Sequence, residues 1–188
     1  MNQHVARLFD DLSRHVDELM GCPTGVDPGF LDRSMEAGTK WAPEVLAAVG
    51  TCHVFISLIS SGYLKSKWCA MEWDAFSQRK VDRRSSVSSE SETAILPVIW
   101  SPMQEELPAT VRELQLFRPR QLKDPGIAQS YLDEGVYGLL TLEEKAAYQA
   151  VAWRLAQQIV HSFHTYDVER RIPTDLQQLR KSFRSDGE

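Results

Sequence analysis

The sequence lacks any apolar run that approaches the ~20 residues that a membrane-spanning helix needs. Its N-terminus also lacks the apolar core of a signal peptide, because Asp10 and Asp11 fall early in the chain. Only three cysteines are present (Cys22, Cys52 and Cys69), an odd number without metal-ligand spacing. These absences predict a cytoplasmic protein with reduced thiols and no membrane association.

Several motifs with defined chemistry are missing as well. The chain contains no G-x-x-x-x-G-K-[ST] phosphate loop, no G-x-G-x-x-G fingerprint and no G-x-S-x-G elbow. Its 21 Lys and Arg residues are outnumbered by 26 Asp and Glu residues, and the absence of a basic stripe argues against nucleic-acid binding. His161 and His164 are three residues apart without a third ligand, so we predict no metal site.

Helical and apolar segments alternate along the chain, which predicts an α/β protein with a parallel sheet. The two clearest strands are apolar almost throughout, as expected for strands covered on both faces. The predicted elements are a helix over 1–20 ended by Gly21, a short strand at 29–31, a helix over 43–49, a buried strand over 53–59, a helix to about residue 80, a buried strand over 94–100, a short helix over 108–116, a weak strand over 127–132 and a long helix opened by the capping box Thr141-x-x-Glu144.

The length of 188 residues is enough for one domain plus tails. We expect the domain over residues 1–164 and a polar tail or linker over 165–188. Residues 82–93 are rich in serine and charge and have no periodicity, so we predict a flexible surface insertion there.

The chain is organised around the stretch from Ser60 to Trp73, which joins a buried strand to a helix. In open parallel sheets, such turns at the carboxyl ends of strands are where ligands bind. The spacing Ser60-x-x-Tyr63-x-x-Ser66-x-Trp68-Cys69-x-x-Glu72 resembles the S-x-x-Y-x-x-S-x-W-C-x-x-E signature of TIR domains, especially the plant and bacterial ones. Upstream, Phe30-x-Asp32 and Met35-Glu36-Ala37-Gly38 resemble the segment that enters the BB loop of that family.

The resemblance implies a flavodoxin-like parallel sheet with helices on both faces and the strand order 2-1-3-4-5. TIR domains usually begin with a strand, whereas this chain begins within or at the edge of the following helix, so we expect the first strand to be missing. The resemblance further implies self-association or pairing with another TIR protein, in bacterial-type defence or cell-death signalling.

The same resemblance implies an NAD+ glycohydrolase in which Glu72 is the catalytic carboxylate. It assigns substrate binding to Ser66, Trp68, Phe30, Asp32 and Arg33. NAD+ would be the substrate, and no separate cofactor is implied.

The residues themselves suit this chemistry. Trp68 and Glu72 are four apart on a predicted helix and share a face. Near the start of that helix, the backbone dipole would favour an ionised Glu72. A carboxylate beside an aromatic wall can stabilise an oxocarbenium ion at a sugar carbon. The nicotinamide of NAD+ is already cationic, so its departure requires no general acid.

Each of these residues also has a simpler interpretation. Glutamate is common near helix starts, and Ser66 is a natural helix cap. Trp68 suits packing beneath the turn as well as stacking on the substrate. Asp32 and Arg33 suit a solvated loop or a TIR–TIR contact as well as a pocket rim. Three interpretations of the whole domain therefore stay open: an enzyme, a non-catalytic interaction module, and a truncated, poorly folded fragment.

Overall fold

A computed structural model describes residues 2–23, 27–31, 43–84, 93–119, 122 and 124–184. Within these ranges no helix is both long enough and apolar enough to cross a membrane. The helices are α1 (Gln3–Met20), α2 (Pro43–Thr51), α3 (Ser61–Lys65), α4 (Lys67–Ser77), α5 (Ala109–Arg112), α6 (Pro125–Thr141) and α7 (Lys145–Thr165), and the strands are β1 (Phe55–Ile59), β2 (Val81–Arg83), β3 (Ile95–Ile99) and β4 (Tyr166–Val168).

Strands β1 and β3 pair in parallel, with Phe55 opposite Ile95 and Ile59 opposite Ile99. Because successive side chains of a strand point to opposite faces, β1 contributes to two cores. Ile56 and Leu58 pack against the helices α1, α6 and α7, whereas Phe55 and Ile59 pack with α2 and α4. A parallel pair with helices on both faces confirms the predicted α/β, flavodoxin-like architecture. In the described part of the chain, β1 is the first strand.

The outer edge of β3 explains how a proline fits in a buried strand. The backbone bonds between β1 and β3 use the residues on either side of Pro97, so its missing N–H lies on the side away from β1. On that side the Pro97 carbonyl accepts a hydrogen bond from Phe117 N at 2.7 Å, and Ile99 N donates to the Tyr131 hydroxyl at 2.9 Å.

Helix α1 confirms the amphipathic prediction. Its apolar face buries Leu8, Leu12 and Val16, chiefly against α7. Gly21 ends the helix in the left-handed conformation, with φ of 61° and its N–H donating to the Asp17 carbonyl.

The short strand predicted at 29–31 is wrong, because these residues form no strand. A strand needs a neighbour for its backbone N–H and C=O groups. Among the described strands, β1 pairs with β3 and β2 pairs with β4. The segment lies instead along α1, where Gly29 approaches the Phe9 ring, and Phe30 is 53% exposed.

The predictions for the region after residue 118 also need correction. Residues 127–132 belong to α6, whose start is fixed by Asp124: the Asp124 carboxylate accepts a hydrogen bond from Gly126 N at 2.8 Å. The predicted capping box is wrong as well, since Thr141 is the last residue of α6 and its hydroxyl donates to the Tyr137 carbonyl. Helix α7 begins at Lys145 without a side-chain cap.

The insertion and the tail are more structured at their described positions than their composition indicates. Asp82 and Arg83, which we assigned to the insertion, belong to β2 and pair antiparallel with β4; residues 85–92 lie outside the described residues. In the segment predicted to be a polar tail, Leu179 and Phe183 are buried in the core that contains α4. The domain boundary at residue 164 stays a prediction.

Candidate functional site

Two serines shape the turn at the carboxyl end of β1. The Ser60 hydroxyl accepts a hydrogen bond from Tyr63 N at 3.1 Å and caps α3. The Ser66 hydroxyl accepts from Cys69 N at 3.3 Å and caps α4, and the Ser66 backbone is extended. Serine suits both positions because its short side chain satisfies an otherwise unpaired helix-start N–H. The capping interpretation of Ser66 is therefore confirmed, and it leaves open a second role.

Trp68 and Glu72 lie four residues apart on α4, so their side chains share one helix face, and both are half-buried. Glu72 is the sixth residue of α4, and the first turn of that helix has no acidic residue. Because the helix dipole acts mainly within the first turn, the predicted electrostatic support for Glu72 is small. Any special role of this carboxylate must come from its side-chain surroundings.

Tyr63 and Ser57 place two buried hydroxyl groups below the turn. Ser57 lies on β1 and is fully buried, and the Tyr63 hydroxyl is also buried. Within the described residues, neither hydroxyl has a hydrogen-bond partner of good geometry. Burial raises the pKa of Tyr63 well above its ordinary value. The charge that Cys69 carries once its thiol ionises in alkali, and the charge of Glu72, raise this pKa further. Sequence reasoning treated Tyr63 as structural and overlooked Ser57.

Cys69 is not suited to act as a nucleophile. Burial raises the pKa of its thiol to about 11, and the nearby charge of Glu72 contributes in the same direction. The thiol is therefore protonated at neutral pH, whereas a cysteine nucleophile needs the thiolate.

Ser66 also borders a surface cavity of about 220 Å³. Lys65 and Arg184 each donate to the Glu105 carboxylate at 2.9 Å across it, and these two cations lower the pKa of Glu105. The C-terminal side chains at this cavity were not predicted, because nothing in their local sequence indicates a distant contact. The lining residues are Leu64, Lys65, Ser66, Glu105, Pro108, Lys181, Ser182 and Arg184.

The structure brings together only part of the predicted site. Trp68 and Glu72 share a face of α4, but neither lines the cavity beside Ser66. Phe30 lies in the segment along α1 and is 53% exposed. Asp32 and Arg33 lie outside the described residues.

Comparison with known protein families decides the relationship of this chain. Residues 4–129, more than half of the chain, match the family model described as TIR domain. This chain belongs to the TIR domain family. No curated protein and no solved structure matches it. The match extends from α1 into α6, so it contains the whole signature stretch and excludes α7 and the C-terminal segment.

Membership of the TIR family agrees with the observed parallel pair of strands between two layers of helices. It assigns this TIR domain to a class of signalling and defence modules. The turn after β1 is then the place to look for chemistry, because ligands of open parallel sheets bind at the carboxyl ends of the strands.

Proposed function

We propose that this TIR domain is an NAD+ glycohydrolase and that Glu72 is its catalytic carboxylate. The observation that carries the proposal is the pairing of Glu72 with Trp68 on one half-buried face of α4, immediately after the turn at the end of β1. A carboxylate and an indole ring so placed supply the two groups that a ribosyl cation requires, a negative charge and an aromatic wall.

The reaction breaks the bond between the ribose C1′ and the pyridinium nitrogen of NAD+. The bonding electrons move to that nitrogen, and neutral nicotinamide leaves without a proton donor. Glu72 stabilises the positive charge that develops on the ribose, and water then adds to C1′ and releases a proton. The products are nicotinamide, ADP-ribose and one proton.

The remaining assignments concern substrate binding. Trp68 would stack on the ligand next to Glu72. The Ser66 hydroxyl caps α4 as an acceptor, so its own hydrogen remains a donor that the cap does not use. Phe30, Asp32 and Arg33 complete the proposed substrate-binding set.

We further propose that the chain carries the plant- and bacterial-type TIR signature and acts in the cytoplasm, in bacterial-type defence or cell-death signalling. Self-association, or pairing with another TIR protein, would bring the active form together. Turnover per molecule should therefore rise with protein concentration.

The proposal is tested by the release of nicotinamide from NAD+ with the full chain and with Glu72→Gln. Loss of a charge that stabilises the transition state should lower turnover by at least about 100-fold. Glu44→Gln is a matched control, because Glu44 lies in the first turn of α2 and is exposed. Equal turnover by the wild type and Glu72→Gln would contradict the proposal.

A non-catalytic interaction module is the second candidate. It is favoured by one observation: the cavity beside Ser66 and the face of Trp68 and Glu72 do not form a single pocket in the described part of the chain. Sedimentation that shows self-association, together with no NAD+ consumption at the same concentration, would support this candidate.

A further inference from the structure

Phe183 lies outside the TIR family match, yet it packs between the two helices that form the turn of the candidate site. We propose that Phe183, carried by the segment Arg180–Arg184, is a positioning residue of this site. It would hold α3 against α4 and so fix the place of Glu72. This inference rests on the proposed function for its catalytic consequence, but the contact itself is independent of any activity.

The ring contacts of Phe183 connect the two helices. Its ring centroid lies 5.3 Å from that of Tyr63 in α3, and 5.7 Å from that of Trp73 in α4, where the rings meet edge to face. Phe183 is only 2% exposed, so the ring is fully inserted. Trp73 directly follows Glu72 in the chain. Phe183 therefore contacts the residue next to the carboxylate in α4 and, at the same time, Tyr63 in α3.

Hydrogen bonds hold the segment Arg180–Arg184 at both of its ends. The Thr110 hydroxyl donates to the Phe183 carbonyl at 3.4 Å, and Arg180 N donates to the Asp74 carboxylate in α4 at 3.0 Å. Arg184 pairs with Glu105 at the cavity beside Ser66. Exposed ion pairs contribute little to stability, so the buried Phe183 ring is the main contact that holds the segment against α3 and α4.

A contact that joins α3 to α4 matters because the chain connects these two helices through a single extended residue, Ser66. A backbone change at Ser66 would alter the angle between α3 and α4. The two serine caps hold each helix start but do not join one helix to the other. A shift of 1 Å in a catalytic group can cost about 100-fold in rate.

The variants that test this are Phe183→Ala and Phe183→Leu, with Val168→Ala as the matched control. Val168 is buried in the same core as Phe183 but belongs to β4, where it pairs with Val81 of β2. Turnover of NAD+ is measured well below the melting temperature of every variant. We expect Phe183→Ala to lower kcat by about 10- to 100-fold with KM changed by less than about threefold. Phe183→Leu should restore most of kcat, and Val168→Ala should stay close to the wild type.

Hydrogen exchange provides a readout that does not need activity. The amides of Tyr63 and Cys69 are bonded to the two serine caps and report on the turn. Phe183→Ala should speed their exchange by at least about tenfold relative to Val168→Ala. Equal exchange rates in Phe183→Ala and Val168→Ala would overturn the inference, whatever their turnover. Faster NAD+ turnover by Phe183→Ala than by the wild type would also overturn it, because the segment would then block the site and not position it. If the wild type consumes no NAD+, the proposed function fails while exchange still decides the positioning role.

Discussion

Arg79 and Glu169 are joined by a partly buried hydrogen bond across 90 residues of sequence: the Arg79 Nε donates to the Glu169 carbonyl oxygen at 2.7 Å. The same guanidinium donates from Nη1 to the Val49 carbonyl at 2.8 Å and lies over the Phe76 ring. Arg79 is 4% exposed. One side chain therefore ties the ends of α2 and α4 to the residue that follows β4.

Removing these donors should destabilise the fold. In Arg79→Met the apolar stem is kept, but the buried Val49 carbonyl and the partly buried Glu169 carbonyl lose their donor. Such a loss costs about 1–3 kcal/mol for a buried group and less for a partly buried one. We expect the free energy of unfolding to fall by about 3 kcal/mol, measured by urea denaturation. Arg170→Met is the control, because Arg170 is exposed. A loss of stability no larger than that of Arg170→Met would show that the hydrogen bonds of Arg79 do not stabilise the fold.

Gly135 should be the least replaceable glycine of α6. Its φ is 63°, and a Cβ there would lie 2.6 Å from the Trp100 carbonyl oxygen, so both the backbone and the space exclude a side chain. We expect Gly135→Ala to lower the free energy of unfolding by about 3 kcal/mol or more. Gly62→Ala is the contrasting variant, since Gly62 is helical and a Cβ there would be 3.9 Å from its nearest atom. A thermal melt of Gly135→Ala that matches Gly62→Ala would contradict the geometry.

Variants of Ser66 should distinguish its role as a helix cap from a role in substrate binding. Ser66→Ala removes the acceptor for Cys69 N, and loss of such a cap costs about 1 kcal/mol. Ser66→Asn keeps an N-cap acceptor, so its stability should stay within about 0.5 kcal/mol of the wild type. If Ser66 also binds substrate, Ser66→Asn will be stable but will have a raised KM for NAD+. Normal KM in Ser66→Asn would limit Ser66 to the cap.

Cys69 predicts a loss of stability in alkali. Its thiol ionises near pH 9.0 when unfolded, and burial raises its pKa to about 11 in the folded chain. The stabilisation is therefore complete below the unfolded value and is lost as the pH rises through this window, because unfolding then releases a proton. Urea midpoints measured between about pH 8.5 and 10 should fall with pH, and the fall should be shallower in Cys69→Ala. Parallel pH profiles would argue against a buried thiol.

The sequence predicted the elements whose local pattern and burial agree. The steps of three and four along α1, the left-handed Gly21 and the apolar run of β1 each depend on nearby residues alone. Helix α6 was missed because its start depends on the single capping residue Asp124 and its interruption at Gly135 hides the periodicity. The pairing of β2 with β4 could not be predicted, since three-residue strands gain their stability from a distant partner.

The candidate site was predictable only where one stretch of sequence carries it. The signature indicated that Trp68 and Glu72 share a helix face, and the structure has that arrangement. The supporting groups come from elsewhere in the chain: Ser57 from β1, and Phe183 from a segment whose composition is polar. The one sequence signal that could have indicated this contact is Phe183 itself, a large aromatic residue among charged neighbours.

The most direct test of this account is the amount of NAD+ and nicotinamide over time with the purified full chain at high concentration, beside Glu72→Ala of equal helical content. We expect the wild type to convert NAD+ to nicotinamide one for one and Glu72→Ala to leave NAD+ intact. Consumption at the same rate by both proteins would contradict the role of Glu72. No consumption by either protein would contradict the enzyme and favour the interaction module.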